Sequence, residues 1–461
     1  MTTVVTVGID IGTTSVKAVA VDGDGVVRAS ARIPHSLVAR HAGELAHDAD
    51  VAWRQGVLAA LVEVAEPGLE IAAVNVAAMV PSMCAVDERG GPISPGLLYG
   101  DGRGADPDPV ESSGAQSADP SSSGELVRFL SHLARAHPHA AGYWPAQGVA
   151  NAALSGIGAI DSVCAMTTLP LFDYNDWDAA VAAGAGLQDT ERLPRIVSGA
   201  DAVGRVTHGA APNALLGGGT IDAFAEQLVA GADHDGDVLV IVGATLITWS
   251  VIPEWAEVAG LWTVPHTAPG KVLIGGPSNA GGLFMNWARE LCGVDREQSA
   301  QLADMLEPGR VPVWQPYLRG ERVPLHDPNR RASLHHLDIG MGPEHAMRAA
   351  YETSGFAIRH QLDLAGLSPA RIVASGGGTR DAGWMSALAD ASGLPVHRVA
   401  VAEGGALGAA YLARVTAGLE SSAADAARWA ATHEVIDPDE RWLSATDERY
   451  AVYRSLADAN S

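Results

Sequence analysis

The chain of 461 residues has few cysteines, and their spacing suits neither a disulfide framework nor a metal site. Cys84, Cys164 and Cys292 are odd in number and lie far apart, without the close spacing of metal ligands. A reduced protein of the cytoplasm is the simplest interpretation. An apolar, β-like run starts at Thr3, and we recognise no basic segment or cleavage site of a secretory signal before it.

Basic residues are also scarce, since 30 Lys and Arg stand against 54 Asp and Glu and give a net charge of −24. A field of this sign repels phosphates, so we expect neither nucleic acid nor an anionic membrane as a partner. Solubility is the simplest role of the charge, although local backbone donors allow an acidic enzyme to bind phosphate. The most apolar run, residues 238–249, contains Gly243 and is too short to span a bilayer.

Aromatic residues make up only 5% of the chain, whereas apolar residues reach 47% and glycines number 52. This composition suits close helix–sheet packing in an α/β protein of two or three domains. Residues 4–10 and 16–22 predict a β-hairpin, and residues 238–242 and 246–252 repeat its pattern. We therefore predict a duplicated architecture with domains at 1–233 and 234–461.

Between these hairpins the sequence predicts further elements. Apolar runs predict strands, and helical spacing with Val51, Leu58, Leu61 and Val62 on one face predicts the first helix. We expect strands at 26–33, 71–79 and 372–374, and helices at 49–65, 125–136, 143–154, 223–230 and 384–392. Residues 104–124 are rich in Pro, Ser, Asp and Gly, which is typical of disorder or of a lid near a substrate.

The first hairpin turn has the composition of a phosphate-binding loop. Gly12 allows close backbone approach, and the hydroxyls of Thr13 and Thr14 add donors without bulk. Asp10 ends the first strand and suits Mg²⁺, which binds carboxylate oxygens and keeps much of its water. An ordinary hairpin turn is the alternative for the Gly-Thr-Thr sequence taken alone.

Asp222 follows three glycines, Gly217–Gly219, and stands where a helix is expected to start. As a simple N-cap it would serve only that helix. As a base it would accept a hydroxyl proton while a phosphoryl group transfers in line.

A second glycine cluster, Gly376–Gly378, fits either the close approach of a nucleotide or a tight strand–helix turn. The chain has no P-loop sequence and lacks the protein-kinase motif set. It also lacks a Gly-x-Gly-x-x-Gly sequence after the first strand, which makes a dehydrogenase a poor interpretation.

Six segments in the same order resemble the FGGY carbohydrate kinases, the group of xylulose, ribulose and glycerol kinases. The resemblance implies an actin-like (ribonuclease H-like) fold of two α/β domains with a central cleft, sugar bound mostly by the first domain and ATP by the second. The matching segments are residues 8–18, 98–103 with the Asp-x-Arg sequence, 217–222, 316–324 with Pro-Tyr-Leu-Arg-Gly-Glu-Arg-Val-Pro, 375–390 and 403–410.

The family's roles then fall on matching residues of this chain. Asp222 would be the catalytic base, Asp10 would help to position Mg²⁺, and Asp101 and Arg103 would bind sugar hydroxyls. The resemblance assigns phosphate or adenosine contacts to Gly12, Thr13, Thr14, Gly243, Thr245, Gly376, Gly377, Gly378 and Asp381.

Three departures from the family pattern bear on specificity. Xylulose kinases usually carry Gln-Met-His-Gly where this chain has Met79-Val80-Pro81-Ser82. Pro81 therefore stands in place of the imidazole that would contact the sugar. Met79 and Val80 are the substrate candidates in this segment. Ala223 stands where xylulose and glycerol kinases tend to have an amide. Only Thr245 keeps a hydroxyl in the second phosphate turn, residues 243–246. Lost hydrogen-bond partners can change selection strongly in a site that reads hydroxyls.

We therefore expect a kinase that uses ATP and Mg²⁺ to phosphorylate a small sugar, with a pentulose such as xylulose first. Another ketose or a polyol stays open as the substrate. The alternative from another class is a non-catalytic sugar- or nucleotide-binding sensor of the same fold, against which the presence of a base, Asp222, counts. A homodimer is one assembly that the sequence allows.

Overall fold

A computed structural model describes residues 2–39, 44–103, 125–197, 201–266, 270–303, 306–400 and 403–458. The 104–124 segment, with its two interpretations, lies outside the described residues. Among the described residues, no helix combines the length and apolar character that crossing a membrane requires.

The strands are short to medium in length and run through both halves of the chain. They are β1 Thr3–Ile11, β2 Ser15–Val21, β3 Val27–Pro34, β4 Leu37–Val38, β5 Ala46–His47, β6 Leu69–Ala78, β7 Ser82–Val86, β8 Gly96–Leu98, β9 Gly142–Trp144, β10 Ala159–Asp161, β11 Arg195–Val197, β12 Ala202–Arg205, β13 Leu215–Gly217, β14 Thr220–Ile221, β15 Asp237–Val242, β16 Leu246–Ile252, β17 Trp262–Pro265, β18 Val272–Ser278, β19 Val313–Gln315, β20 Ser333–His335, β21 Arg371–Ser375, β22 Val396–Val399 and β23 Thr432–Ile436.

The α-helices are α1 Gly56–Val64, α2 Glu125–Ala136, α3 Ala146–Ser155, α4 Ser162–Met166, α5 Ala179–Gly184, α6 Asp222–Ala230, α7 Gly282–Cys292, α8 Arg296–Ala303, α9 Pro343–Ala365, α10 Ala382–Ser392, α11 Gly404–Thr416 and α12 Glu440–Asp458. A π-helical segment, Asp50–Gln55, leads into α1, and short 3-10 helices lie at Thr190–Arg192, Gly377–Arg380 and Ala426–Trp429.

The chain forms two compact units. The first comprises Met1–Val229 and Glu403–Trp429, and the second comprises Ala230–Ala402 and Ala430–Ser461. The division predicted from sequence, 1–233 and 234–461, therefore differs from this partition at the segment that carries α11. The packing partner of a helix depends on its side chains, and its place in the sequence does not reveal it.

The main sheet of the first unit has the order β12-β13-β6-β1-β2-β3, with β14 also paired to β6. β1 pairs antiparallel with β2 and parallel with β6, which confirms the predicted hairpin. Because side chains alternate along a strand, Val5, Val7 and Ile9 face the apolar core shared with α1. The alternate residues of β1 face the opposite side, where α11 packs.

The main sheet of the second unit has the order β17-β18-β16-β15-β21-β22-β23. Its central strand β15 pairs antiparallel with β16 and parallel with β21, which is the arrangement of β1, β2 and β6 in the first unit. The predicted duplication of architecture is therefore confirmed at the level of strand pairing.

The helix expected over residues 49–65 is present, and two of the four side chains predicted for its buried face, Leu58 and Leu61, do pack in the core. Val51 and Val62 are 43% and 56% exposed, so they do not belong to the core face. The segment starts with π-helical turns, which are wider than α-helical turns and therefore shift the phase of the buried positions. The side chains that pack in the core are Trp53, Val57, Ala60, Leu61 and Val64.

The helix expected over residues 143–154 starts three residues later than predicted. Gly142–Trp144 forms β9, which pairs with β7, and Pro145 then takes an extended conformation before α3. Residues 142–144 form a strand instead of a helical turn because their backbone groups find hydrogen-bond partners on β7.

Candidate active site

One face of β1 carries residues that meet the helix α11. Thr6 Oγ1 donates a hydrogen bond to the Ala410 carbonyl at 2.8 Å. A Cβ atom on Gly8 would lie 1.9 Å from the Ala406 carbonyl oxygen, so only glycine allows this approach of the two backbones. Two residues further on, the carboxyl group of Asp10 must face the same helix.

Asp10 lies against the first turn of α11. A Cβ atom on Gly405 would lie 3.0 Å from the Asp10 carboxyl carbon, so a larger residue there would displace this carboxyl group. Asp10 is 4% exposed, and its Oδ1 atom is buried without a hydrogen-bond partner among the described residues. An orphaned carboxylate oxygen in such a position fits a cation ligand.

Lys17 stands opposite Asp10 in the hairpin, because the strand register pairs these two residues. Its Nζ atom donates to Asp10 Oδ2 at 3.4 Å. The charge of Asp10 raises the pKa of Lys17 more than burial lowers it, and Glu226 and Glu403 act in the same direction as Asp10. Sequence reasoning assigned no role to Lys17, although a lysine in the strand directly after the predicted phosphate turn was a usable signal.

Asp222 emerges at the same edge of the sheet as Asp10. β14 and β1 both run parallel to β6, and Ile221 and Ile11 are both in register with Ala78. The carboxyl ends of parallel strands meet at one edge, so the first residue of α6 comes to the end of β1. Asp222 Oδ1 accepts a hydrogen bond from the Ala223 amide at 2.7 Å.

The environment of Asp222 perturbs its carboxyl group, although the residue is partly exposed. Burial, and then the charge of Asp10, raise the pKa of Asp222 to about 6, against the opposing effects of the Ala223 amide and Lys17. A carboxyl group that other charges and burial perturb in this way is a candidate for proton transfer.

The turn after Asp10 is closed by a hydrogen bond from the Gly12 amide to the Ser15 carbonyl at 3.1 Å. Thr13 and Thr14 differ in surroundings: Thr14 is exposed, while Thr13 Oγ1 lies 2.9 Å from the Tyr99 hydroxyl. Tyr99 thereby joins the predicted phosphate turn to the segment that carries Asp101.

A buried pair, His47 and Trp53, supports the same turn from behind and was not found by sequence reasoning. Trp53 Nε1 donates to His47 Nδ1 at 3.0 Å, so the proton of the neutral ring is on Nε2 and is donated to the Thr13 carbonyl at 2.9 Å. Burial, assisted by the charge of His35, lowers the pKa of His47 to about 4, which keeps this ring neutral.

Replacing Trp53 by Phe should destabilise the first unit by about 1–3 kcal/mol, since the buried His47 Nδ1 would lose its donor. Urea unfolding at 25 °C measures the change. Trp255→Phe is the matched control, because Trp255 is 57% exposed and its loss should change stability by less than about 0.5 kcal/mol. Equal effects of the two substitutions would contradict a role for the Trp53 hydrogen bond.

The Asp-x-Arg segment forms a closed ion pair. Arg103 Nε donates to Asp101 Oδ1 at 2.9 Å and its terminal nitrogen donates to Oδ2 at 2.6 Å, while the Leu45 amide donates to Oδ2 at 2.7 Å. Burial opposes ionisation of Asp101, but the bonds from Arg103 and the amides hold its pKa below the ordinary value. The pair is therefore a rigid, charged group whose guanidinium keeps further donors.

Helix α2 lies beside this ion pair. The Gly100 amide donates to Glu125 at 2.6 Å, which attaches the first residue of α2 to the segment. His132, two turns along α2, is close enough to Arg103 for its charge to lower the pKa of His132, second to burial. Sequence reasoning missed this imidazole, because residue 132 is far from residues 101–103 in the chain.

The segment that departs from the family pattern, residues 79–82, contributes to the core of the first unit. Met79 is 2% exposed and packs in the core of the first unit, whereas Val80 is partly exposed. Ser82 Oγ accepts a hydrogen bond from the Ala146 amide at 3.2 Å, at the start of α3. Val80 is thus the better placed of the two substrate candidates.

In the second unit, the turn after β15 packs against the start of α7. The amides of Gly282 and Leu283 donate to the carbonyls of Gly243 and Ala244 at 2.9 Å each. A Cβ atom on Gly281 would lie 2.3 Å from the Thr245 carbonyl carbon. The turn that contains Gly243 and Thr245 is therefore held by the helix, with Thr245 partly exposed.

The triple glycine follows β21, which neighbours β15. A Cβ atom on Gly376 or Gly378 would lie 2.9 Å or less from atoms of Val242, so these two glycines are needed for packing. A Cβ atom on Gly377 would meet no heavy atom within 4 Å. Gly377 is thus the glycine with open space for a ligand, and Val242 brings the cluster next to the turn at Gly243.

Asp381 has a full set of partners within the second unit. It forms a buried ion pair with Arg289, accepts from the Tyr351 hydroxyl at 3.1 Å, and accepts from the Trp384 amide at 3.0 Å as the N-cap of α10. These bonds stabilise the helix behind the triple glycine, and the predicted adenine contact of Asp381 stays a prediction.

The Pro-Tyr-Leu-x-Gly-Glu-Arg-x-Pro segment is held by a buried carboxyl group. Glu321 accepts from Ser278 Oγ at 2.9 Å and from the Asn279 amide at 3.0 Å, both at the end of β18. Burial raises the pKa of Glu321 to about 7, although these bonds oppose the shift. In this structure the group closes a loop within the second unit.

Two family models match the chain. The N-terminal domain of the FGGY family of carbohydrate kinases matches residues 5–107, and its C-terminal domain matches residues 240–417. The chain belongs to the FGGY family of carbohydrate kinases. This FGGY assignment confirms the resemblance on which the site residues were predicted.

Relatives within the family carry more than one name. Xylulose kinase from Streptomyces coelicolor is 29% identical over 470 residues, which cover 94% of this chain and 93% of that protein. Xylulose kinase from Escherichia coli is 31% identical over 178 residues, 37% of each chain. Autoinducer-2 kinase from Escherichia coli is 30% identical over 217 residues, 41% of this chain and 40% of that protein. The last two matches thus span less than half of the relative.

Solved structures of the family share the fold along the whole chain. Xylulose kinase from Rhodospirillum rubrum has 26% identity and a TM-score of 0.79, covering 99% of this chain and 98% of that one. Gluconate kinase from Lactobacillus acidophilus has 18% identity, a TM-score of 0.79 and the same coverage. The expected two-domain α/β, actin-like fold is confirmed, while the variety of names shows that the family alone does not determine the substrate.

Proposed function

We propose that this FGGY chain transfers the γ-phosphoryl group of ATP to a primary hydroxyl of a small sugar, with a pentulose such as xylulose as the first candidate. The observation that carries the proposal is the pairing of Asp222 and Asp10 at one edge of the first sheet. Each has a distinct environment: Asp222 has a raised pKa, and Asp10 is bound by Lys17 and has one orphaned oxygen.

Asp222 acts as the general base. At neutral pH a carboxyl group with a pKa of about 6 is ionised, yet it accepts a proton more readily than an ordinary aspartate. It takes the proton of the sugar hydroxyl as that oxygen attacks the γ-phosphorus, and the bond from phosphorus to the ADP oxygen breaks in the same in-line transfer.

Asp10 and Lys17 prepare the site for phosphates. The orphaned Oδ1 of Asp10 fits Mg²⁺, directly or through water, and Lys17 lies where it can bind a phosphate oxygen. Bound Mg²⁺ would neutralise charge that develops on the transferring group. The hydroxyls of Thr13 and Thr14 serve the phosphates in the first unit, and Gly12 allows close approach to the backbone of the turn.

In the second unit we assign the remaining ATP contacts to the turn of Gly243 and Thr245 and to the open position at Gly377. The support is that this glycine leaves space while its neighbours, Gly376 and Gly378, are packed against Val242. Asp381 contributes through the helix it caps.

Sugar recognition is assigned to Asp101, Arg103 and Val80, with His132 as an addition. The guanidinium has five N–H donors, of which Asp101 takes two, so donors are left for hydroxyl oxygens. A pentulose is favoured because xylulose kinase from Streptomyces coelicolor matches along 94% of this chain.

The compartment we propose is the cytoplasm. The three cysteines are unpaired, and Cys84 and Cys164 are buried, where burial raises the pKa of both thiols. Thiols of this kind fit a reducing environment.

Native mass spectrometry of the purified chain would decide between a monomer and the homodimer that the sequence allows.

ADP release with Mg²⁺-ATP against a panel of pentuloses, hexuloses, polyols and gluconate tests the function. We expect one pentulose to raise turnover well above the rate without sugar. Stimulation by a polyol or gluconate alone would reject the pentulose and keep the kinase. Absence of stimulation by every compound, with ATP bound and the chain folded, would favour the non-catalytic sensor.

The pH dependence of turnover follows from the raised pKa of Asp222. Because the base works only when deprotonated, kcat/KM for the sugar, which reports the pKa of the free enzyme, should fall as the pH drops through about 6 and level off about one pH unit higher. Burial also raises the pKa of Asp161, to about 7, so Asp161→Asn is the control that should leave the midpoint unchanged. A midpoint near pH 4, the range of an ordinary aspartate, would contradict the assignment.

A further inference from the structure

Two buried amide side chains of α3 support the backbone that leads to Asp222. Gln147 and Asn151 are four residues apart, which places them on the same face of the helix. Both have no exposed surface. Neither residue was singled out by any motif of the sequence.

Each side-chain amide donates to two carbonyl groups at once. Asn151 Nδ2 donates to the Gly218 carbonyl at 3.0 Å and to the Ala159 carbonyl at 2.8 Å. Gln147 Nε2 donates to the Thr220 carbonyl at 3.3 Å and to the Ala78 carbonyl at 3.2 Å. Gly218 and Thr220 belong to the segment before Asp222, whereas Ala159 starts β10 and Ala78 ends β6.

The segment needs these donors because its sheet pairing is interrupted. β13 and β14 both pair with β6, and the break between them falls at Gly218 and Gly219. Gly219 has a φ of +95°, and a Cβ atom on it would lie 3.0 Å from the Val76 carbonyl oxygen and 3.4 Å from Gln147 Cβ. The two amides thus supply, at the break, bonds that continuous strand pairing supplies elsewhere.

The side-chain carbonyl oxygens of these two residues have no hydrogen-bond partner in the described part of the chain. Gln147 Oε1 and Asn151 Oδ1 are buried and accept no hydrogen bond among the described residues. An apolar side chain of similar size would fill the same space without an unpaired carbonyl oxygen. The donors, and not the volume, are therefore what these two positions contribute.

We propose, resting on the kinase function above, that Gln147 and Asn151 are positioning residues for the base Asp222. In this proposal they act through the backbone and not through contact with sugar or ATP: they fix the carbonyls of Gly218 and Thr220, which precede the start of α6 at Asp222 by four and two residues. A shift of the base by about 1 Å is enough to lower turnover by about 100-fold.

The test uses Gln147→Met and Asn151→Leu in the full chain, with the sugar identified by the panel. We expect kcat to fall by about 10- to 100-fold, while KM for sugar and for ATP changes by less than about twofold. Gln361→Met is the matched control: Gln361 is a buried glutamine of α9 whose amide atoms have no partner among the described residues. Its kcat should stay within about twofold of the wild type.

A second experiment distinguishes loss of the position of Asp222 from a general disruption of the folded protein. In the Asp222→Asn background, Gln147→Met should change the residual turnover by less than about twofold, since the base through which Gln147 acts is gone. A full additional loss in that background would overturn the proposal. So would variants whose KM rises while kcat is unchanged.

Crystal structures of the wild type, Gln147→Met and Gln361→Met make the outcome independent of activity. The Asp222 carboxyl group should move by more than about 0.5 Å in Gln147→Met and stay in place in Gln361→Met. If no sugar stimulates the wild type, the kinase function fails and this displacement alone decides whether Gln147 positions Asp222. An unmoved carboxyl group would overturn the inference.

Discussion

Asp222→Asn should lower kcat by about 100- to 10,000-fold and leave the chain folded. Asparagine keeps the shape of the side chain and the acceptor for the Ala223 amide, but it cannot take a proton from a hydroxyl. Turnover by ADP release, under saturating sugar and ATP, measures the effect. KM for ATP should change little, because the substitution removes a contact that matters in the transition state.

The direction in which Asp222→Asn changes the thermal stability also follows from the pKa of Asp222. Because burial and the charge of Asp10 raise the pKa of Asp222, ionisation of this group destabilises the folded chain by an amount that grows between about pH 4 and pH 6 and is complete above that. A neutral asparagine removes this effect, so the thermal midpoint at pH 7 should be equal or higher than that of the wild type. Loss of activity together with a lower midpoint would point to misfolding instead of a missing base.

Asp161→Asn is the matched control for Asp222→Asn. Asp161 is likewise an aspartate with a raised pKa, it is buried where Asp222 is partly exposed, and it precedes a helix, where it accepts a hydrogen bond from the Val163 amide. Its loss should lower kcat by less than about tenfold, since it lies outside the pair formed with Asp10. Equal losses from both substitutions would contradict the assignment of the base.

Gly408→Ala should destabilise the first unit by about 1–3 kcal/mol or more, although alanine is ordinarily the better helix former. A Cβ atom at this position of α11 would lie 1.9 Å from the Ala225 carbonyl oxygen of α6. Two helix backbones therefore have to separate to admit one methyl group. Differential scanning calorimetry of the purified chain measures the shift.

The displaced helix in Gly408→Ala is the one that starts with Asp222, so kcat should fall together with stability. Gly184→Ala is the matched control, because Gly184 also lies in a helix and a Cβ atom there would meet nothing within 4 Å. Its thermal midpoint should be unchanged or higher. A Gly408→Ala variant as stable as Gly184→Ala would show that α6 and α11 separate easily.

Local chemistry made part of the site predictable. The hairpin of β1 and β2 follows from two apolar runs around a glycine turn, and the start of α6 at Asp222 follows from three glycines before an apolar helix. The strand-pairing duplication in the second unit was visible in the same way. Each of these signals lies within a few neighbouring residues, which is the range over which sequence patterns are informative.

Other parts of the site depend on contacts between distant residues. The amide of Asn151 donates to a carbonyl 67 positions away, and Trp53 is linked to the predicted phosphate turn through the ring of His47. Asp381 carried a predicted ligand contact, yet its partner Arg289 is 92 positions away and occupies its carboxylate. No spacing rule connects such pairs, because the folded backbone alone brings them within hydrogen-bond distance.

The sequence by itself determined the family, the two glycine turns and the identity of the carboxylates that stand at the strand ends. The tertiary structure decided which helix faces them: α11, late in the chain, packs on Gly8 and encloses Asp10, and α6 packs on α11 through Gly408. The physical reason is burial. The raised pKa of Asp222 and the orphaned oxygen of Asp10 arise because these helices withdraw Asp10 fully, and Asp222 in part, from the water that ordinarily surrounds a carboxylate.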